Sequence, residues 1–118
     1  MNSTNREQQV VSPPLEGWSI GRHDTIDWAP WGGSTGKARA KILGIADGYY
    51  LALIEAEAGY SGDPHEHNYP EFLYVIDGSL RNQGVEMVKG DAYAAAAGSV
   101  HTDFATEEGA SYALIFKL

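Results

Sequence analysis

Short apolar stretches recur along the chain and are separated by pairs of turn-forming residues such as Asp-Gly, Gln-Gly and Gly-Ser. The stretches are ARAKILGIA, YYLALIEAEA, EFLYVI, VEMV and SYALIFKL. Several of them alternate larger apolar residues with polar or small ones, which places every second side chain on one face of an extended strand. Helical periodicity is hard to find anywhere. The pattern therefore predicts an all-β sandwich or barrel made of short strands.

Local signals refine this prediction at three places. Asp47-Gly48 lies between two apolar stretches and predicts a tight hairpin. In SYALIFKL, every second residue from Tyr112 to Phe116 is large and apolar, which fits a closing strand with one buried face. The alanine run Ala94 to Ala97 has helical propensity but is short and lies between two turns, so a strand is predicted there.

Composition and charge narrow the classes of function. The chain has 118 residues, 43% of them hydrophobic, which suits one domain with one core. A net charge of −8 argues against a surface that binds nucleic acid or an anionic membrane. Cysteine does not occur, so disulfides and thiolate ligands are excluded and any metal must be held by nitrogen and oxygen.

The chain reads as one domain with a polar N-terminal segment. Residues 1–16 are predicted to form a flexible arm, and residues 17–118 to form the β-barrel domain. No stretch has the length and hydropathy of a signal peptide or a membrane-spanning helix, so a cytoplasmic location is expected.

The segment HEHNYPEFLYVIDG contains the clearest candidate for chemistry. His65, His67 and Glu71 are all odd-numbered and can face the same side of an extended chain. Imidazole and carboxylate groups together suit a divalent transition metal. His101 follows a Gly-Ser turn and is placed to return along a neighbouring strand.

Two segments resemble the paired motifs of the cupin superfamily. Residues 59–78, GYSGDPHEHNYPEFLYVIDG, match every fixed position of the first motif, G-x5-H-x-H-x3-E-x6-G. Residues 90–105, GDAYAAAAGSVHTDFA, resemble the second, G-x5-P-x-G-x2-H-x3-N, although Ala96 replaces the usual proline and Ala105 the common asparagine. The resemblance implies a cupin double-stranded β-helix, or jelly-roll, barrel. It also implies one divalent metal per chain, held by His65, His67, Glu71 and His101.

The layout of the chain is also similar to small single-domain cupins related to acetylacetone-type dioxygenases, and to the zinc-binding cupin domain of certain anti-sigma factors. This resemblance implies an enzyme, with an iron-dependent oxygenase acting on a small organic substrate as the favoured activity. Lewis-acid isomerase, lyase or decarboxylase chemistry with zinc, manganese or nickel stays open, as does a non-catalytic cupin that senses a metal or ligand. A homodimer is expected.

Further residues are candidates for the pocket. Asp103 should share the inward face with His101 and could orient a ligand histidine or act as a general base, or else reach solvent at a strand end. Tyr93 is a possible pocket residue and, with Asp103, a candidate catalytic residue. The small side chains of Ala92 and Ala94 to Ala97 either leave volume for a bulky substrate or let a strand or subunit approach.

For aromatic and charged residues outside the two motifs, the sequence predicts positions in the fold. Two alternatives are open for Trp28 and Trp31. They form an aromatic plug, at one end of the barrel or at a subunit contact, or they line the mouth of the pocket. His23 is expected to be structural or exposed. Glu55 and Glu57 share a strand face that is expected to point outward, because unpaired inward charges would be costly.

Overall fold

Antiparallel β-structure makes up almost all of the regular structure in the computed structural model, which describes residues 16–33 and 36–118. The only helix among these residues is one 3-10 turn, His23–Thr25. The strands are β1 (Ala29–Pro30), β2 (Ala38–Ala46), β3 (Tyr49–Ala56), β4 (His65–Glu66), β5 (Glu71–Asn82), β6 (Val85–Val88), β7 (Ala92–Ala95), β8 (Val100–His101), β9 (Phe104–Ala105) and β10 (Ala110–Lys117). The all-β prediction is confirmed.

One large curled sheet contains eight of the ten strands. Its main path runs β1-β2-β3-β10-β5-β6, while β7 and β9 also pair with β5. The long β5 therefore belongs to both halves of the barrel: its first part pairs with β10 and β7, and its last part pairs with β6 and β9. β4 and β8 form a separate two-stranded sheet.

A glycine allows β5 to change partners at its middle. The ladder between β5 and β10 shifts register between Ser111 and Tyr112, which marks a β-bulge. Gly78 lies beside this shift with φ of 77°, and a Cβ added there would lie 2.2 Å from the carbonyl oxygen of Gly109. Only glycine combines this backbone conformation with so close an approach.

The three local predictions are supported by the strands. β2 and β3 form a hairpin around Asp47-Gly48, and both turn residues have positive φ, as a type I′ turn requires. Tyr112, Leu114 and Phe116 are buried along β10. Within the alanine run, Ala94 and Ala95 belong to strand β7, and Ala96 and Ala97 lie in the turn before β8.

The core lies between the inner faces of the curled sheet. Ile54, Val75 and Leu80 are its largest fully buried side chains, and they come from β3 and from the two halves of β5. Burying side chains of this kind stabilises the fold by roughly 1.5–3 kcal/mol each.

Within residues 16–33 and 36–118, no helix is long and apolar enough to cross a bilayer. Most of the predicted N-terminal arm, residues 1–15, lies outside the described residues.

Candidate metal centre

Three histidines from two neighbouring chain segments converge inside one end of the barrel. His65 in β4 and His101 in β8 are direct cross-strand partners. His67 follows β4, and its backbone N–H donates to the carbonyl of Ser99 at 2.9 Å. One ring nitrogen of each histidine lies within 4.8 Å of the others. This cluster can hold a metal ion, as the sequence predicted for these three residues.

Hydrogen bonds determine which nitrogen two of these histidines can offer. The Nδ1 of His65 lies 2.9 Å from the backbone oxygen of Asp63, which can only accept, so Nδ1 carries the proton. The Nδ1 of His67 lies 2.9 Å from Ser99 Oγ, and the Ser99 hydroxyl donates to Ala96 at 2.7 Å. Ser99 Oγ therefore accepts from His67. In both rings the lone pair is left on Nε2.

Among the residues that the structure describes, nothing forms a hydrogen bond with two buried ring nitrogens of the cluster, Nε2 of His67 and Nδ1 of His101. A buried polar atom without a partner is costly unless another group binds it. Burial is the main cause that lowers the pKa of His101; the nearby Glu71 carboxylate opposes this effect, and the His65 and His67 rings add to it. Neutral imidazole is the form that binds metals. The donor set thus fits a divalent transition metal.

Glu71 begins β5 beside the cluster but is not one of its three members. Its Oε2 lies 3.2 Å from Nε2 of His67 and accepts a 2.6 Å hydrogen bond from the Tyr93 hydroxyl. A carboxylate oxygen facing an imidazole lone pair is unfavourable unless a proton or a cation lies close to both. The position of Glu71 is compatible with the fourth ligand that the resemblance implied, and that role stays a prediction.

Tyr93 lies in β7 and faces the same cavity as Glu71. Burial, together with the adjacent Glu71 carboxylate, raises the pKa of Tyr93 far above its usual value. The phenol is therefore neutral and acts as a hydrogen-bond donor. It is a pocket residue, as expected, and its catalytic role stays a prediction.

Asp103 lines the cavity with a different set of partners. Arg81 donates to its two carboxylate oxygens at 2.8 and 2.9 Å, and the backbone N–H of Gly84 donates at 3.0 Å. The hydrogen bonds from Arg81, followed by that from Gly84, lower the pKa of Asp103. The second nitrogen of His101 contacts Asn82, not Asp103, so the expected orienting contact is absent. A role for Asp103 as general base stays a prediction.

The cavity around the histidines has a volume of about 270 Å³. Aromatic side chains form much of its wall, including Trp31, Tyr60, Phe104 and Tyr112. This volume is at the small end for ligand pockets and suits a small organic molecule. A larger open groove of about 640 Å³ elsewhere on the molecule contains none of the histidines, so it is not the candidate centre.

The two tryptophans differ in position. Trp31 lines the cavity and packs on Phe116 of the core with ring centroids 5.2 Å apart. Trp28 lies outside the cavity lining, where the guanidinium of Arg39 stacks over its ring at 4.2 Å. The pocket interpretation therefore holds for Trp31 and not for Trp28.

Other predictions about single residues have clear outcomes. His23 is exposed, as expected. Glu55 points outward and pairs with Arg39 at 2.6 Å, and Glu57 is exposed. Ala92 and Ala94 line a groove on the outer face of the sheet and not the histidine cavity, so they do not enlarge the cavity for a bulky substrate. The strand alternates, and Tyr93 between them takes the inward position.

Three residues that contact site side chains were missed in the sequence. Asn82 contacts His101, Ser99 contacts His67, and Arg81 binds Asp103. Ser99 lies within the second motif and could have been found there. Asn82 and Arg81 lie at the end of β5, with no local pattern that marks them.

Comparisons with known proteins agree with this architecture. A family model described as the ChrR cupin-like domain matches residues 19–117. A candidate acetylacetone dioxygenase from Methylibium petroleiphilum superposes with a TM-score of 0.76 and 20% identity, over 91% of this chain and 81% of that one. The acetylacetone dioxygenase from Acinetobacter johnsonii gives a TM-score of 0.70 and 14% identity, over 91% and 77%. No curated protein matches the chain in sequence.

A further similar structure contains a regulatory protein. It is the complex of Rhodobacter sphaeroides SigE with the anti-sigma ChrR, with a TM-score of 0.65 and 23% identity. The match covers 82% of this chain and 51% of that one, so the likeness extends over about half of the other protein chain. At these identities the solved structures establish a shared fold.

Proposed function

The chain belongs to the ChrR cupin-like domain family, and on this premise we propose that it is a metal-dependent cupin that acts as an oxygenase on a small organic substrate. The predicted cupin fold is confirmed by the family match and by the similar structures. The observation that carries the proposal is the convergence of three histidines at an aromatic cavity of about 270 Å³, which His65 and His101 line.

The residues that would hold the metal are His65, His67 and His101, with Glu71 as a fourth ligand. Four protein ligands leave about two open positions on an octahedral ion, which is enough for a chelating substrate or for substrate and dioxygen. Divalent iron, the favoured metal, supplies Lewis acidity and reactivity toward dioxygen when bound. A dioxygenase places both oxygen atoms in its product, so it needs no separate reductant.

The side chains of the cavity would bind and orient the substrate. Tyr60, Tyr93 and Tyr112 are neutral phenols, since burial is the main cause that raises the pKa of each. Neutral phenols and the Trp31 ring favour a substrate with an apolar body and an oxygen-bearing end. Similar structures named as acetylacetone dioxygenases support an oxygenase that acts on such a molecule.

Metal analysis combined with dioxygen uptake tests the proposal. The protein is purified without chelator, its metals are measured, and uptake is scanned over diketones, hydroxy-ketones and catechols. We expect about one iron per chain and uptake with at least one substrate class, both lost in His101→Ala. Zinc, nickel or manganese without uptake would contradict the oxygenase and favour Lewis-acid chemistry. Absence of any metal would overturn the centre itself.

A sensing function is the second candidate. The family is described as the ChrR cupin-like domain, and one similar structure contains the anti-sigma ChrR bound to SigE. A sensor would bind metal or ligand without turnover and would change its affinity for a partner protein. Zinc retention without dioxygen uptake, together with a metal-dependent change in binding to a sigma factor, would favour this function over the oxygenase.

We also propose that the protein is a homodimer located in the cytoplasm. Support for the dimer comes from the outer face of the sheet, where Leu51, Phe72, Tyr74 and Ile115 lie exposed around an apolar groove. No charged side chain of the described residues lines this groove, and burying an apolar surface of this kind favours association with a second copy of the chain. Light scattering should give twice the chain mass, and Tyr74→Glu should give monomers, while Val88→Glu on β6 should not.

A further inference from the structure

The third histidine of the cluster has the opposite hydrogen-bond arrangement from the other two. Nε2 of His101 lies 2.6 Å from Oδ1 of Asn82, and this contact is partly buried. An amide oxygen can only accept, so the proton of the His101 ring is on Nε2. The lone pair is consequently on Nδ1, which is the buried atom without a partner.

We propose that Asn82 is a positioning residue that holds His101 in the Nε2–H tautomer, so that His101 binds the metal through Nδ1 while His65 and His67 bind through Nε2. The inference rests on the proposed metal centre, and it adds a residue outside both sequence motifs. Three acceptors of different kinds determine the three tautomers: a backbone carbonyl for His65, a serine hydroxyl for His67 and an amide oxygen for His101.

The position of Asn82 explains why it can do this. It is the last residue of β5 and pairs with Phe104 of β9, so the ladder holds its backbone in place. The ring of Phe104 packs against the His101 ring with centroids 5.2 Å apart and nearly perpendicular planes, at 82°. The amide and the aromatic ring together restrict rotation of the imidazole. Acceptors that orient ligand histidines commonly change metal affinity when they are removed.

Nitrogen NMR on histidine-labelled protein tests the tautomers without metal. Long-range proton–nitrogen correlations at alkaline pH should show His101 as the Nε2–H form, and His65 and His67 as the Nδ1–H form. Asn82→Ala should convert His101 to a mixture of tautomers, whereas Asn82→Asp keeps an acceptor and should retain the Nε2–H form. Ser99→Ala is the matched control, because it should change His67 and leave His101 as it is.

Zinc binding provides the second measurement. Zinc should shift Nδ1 of His101 and Nε2 of His65 and His67, and Asn82→Ala should weaken zinc affinity by about 10–100-fold. Asn82→Asp should restore most of this loss, which a general loss of folding would not allow; circular dichroism checks the fold of each variant.

Three results would overturn the role of Asn82: an Nδ1–H tautomer of His101 in the unmodified protein, a zinc shift on its Nε2, or an unchanged His101 in Asn82→Ala. Failure of zinc to shift any histidine would instead overturn the proposed metal centre. The metal-free spectra then still decide the role of Asn82, so the two failures are distinguishable.

Discussion

Glu71 and Asp103 are two of the carboxylates that line the cavity, and the protein surrounds them differently. Asp103 is 34% exposed and has the guanidinium of Arg81 as a fixed counter-charge. Glu71 is 12% exposed, with a phenol at 2.6 Å and the Nε2 of His67 at 3.2 Å as its neighbours. Within residues 16–33 and 36–118, no lysine or arginine pairs with Glu71.

This difference indicates separate purposes for the two groups. A buried carboxylate is costly to ionise unless a positive charge or several donors compensate for it. Arg81 provides that compensation for Asp103 through two hydrogen bonds at the cavity wall. Glu71 has one donor and a facing imidazole nitrogen, so an exchangeable cation would complete its surroundings. The contrast supports Glu71, and not Asp103, as a ligand in the proposed centre.

Removing a histidine should have the largest effect. His67→Ala and His101→Ala should each abolish stoichiometric metal binding, because two ring nitrogens and a carboxylate hold a metal weakly. The barrel should remain folded, since its core is built from β3, β5 and β10. Metal analysis and circular dichroism measure the two properties, with His23→Ala as the control that keeps full metal. Full stoichiometry in both variants would disprove the assignment.

Isosteric amide substitutions compare the carboxylates directly. Glu71→Gln should reduce zinc affinity by at least about tenfold, because the amide lacks the charge that attracts the ion. Asp103→Asn should leave zinc affinity within about twofold, because the Asp103 charge is already paired with Arg81. Competitive titration with a chelating dye measures both. Equal losses in the two variants would remove the distinction between them.

The hydroxyl of Tyr93 should have an intermediate effect. Tyr93→Phe removes the hydrogen bond to Glu71 and leaves a buried acceptor with fewer partners, which should lower the free energy of unfolding by about 1–3 kcal/mol. Urea unfolding of the metal-free protein measures it. Tyr74→Phe, at an exposed tyrosine on the outer face, is the control and should have little effect. A negligible loss in Tyr93→Phe would mean that the Glu71 contact contributes nothing to folding.

The smallest expected effect is the contribution of Asp103 to the stability of the fold at acidic pH. Because Arg81 and Gly84 lower the pKa of Asp103 in the folded state, this group stabilises the fold above its unfolded pKa of about 4. That stability is lost as the pH falls through the lower folded pKa. The difference in melting temperature between the unmodified protein and Asp103→Asn should therefore shrink below about pH 4. A difference that stays constant with pH would contradict the assignment.

Asp103→Asn also tests the predicted general base. If Asp103 takes a proton in the reaction, the variant should retain metal but change the rate or its pH dependence. Steady-state rates over a range of pH, measured with a substrate found by dioxygen uptake, provide the comparison. An unchanged pH profile would exclude Asp103 from the reaction.

The sequence predicted those features that depend on neighbours along the chain. Alternation along β10, the Asp47-Gly48 turn and the spacing of His65, His67 and Glu71 are local, because a strand has a side-chain period of two. The break between β4, which ends at Glu66, and β5, which begins at Glu71, includes Pro70 and is local in the same sense.

Contacts between side chains that lie far apart in the chain could not be predicted from the sequence. Arg81 reaches Asp103 and Asn82 reaches His101 because the end of β5 pairs with β9, and that pairing depends on the whole sheet. Of the two alternatives for Ala92 and Ala94, the extra cavity volume is wrong, and this has a different cause. Tyr93 was correctly placed inward, and alternation then required its neighbours to face outward, away from the cavity.

The smallest sheet of the molecule has a consequence for local unfolding. β4 and β8 share only two pairs of residues, and one pair consists of His65 and His101. So short a ladder should open more readily than β3, β10 and β5, and its backbone amides should exchange with solvent before theirs. An ion held by both residues would join the two strands, and at 100 times its dissociation constant it adds about 2.7 kcal/mol against any opening that releases it. With the ion bound, the backbone amides at the end of the barrel that holds the histidines would then change from the least protected against exchange with solvent to some of the better protected.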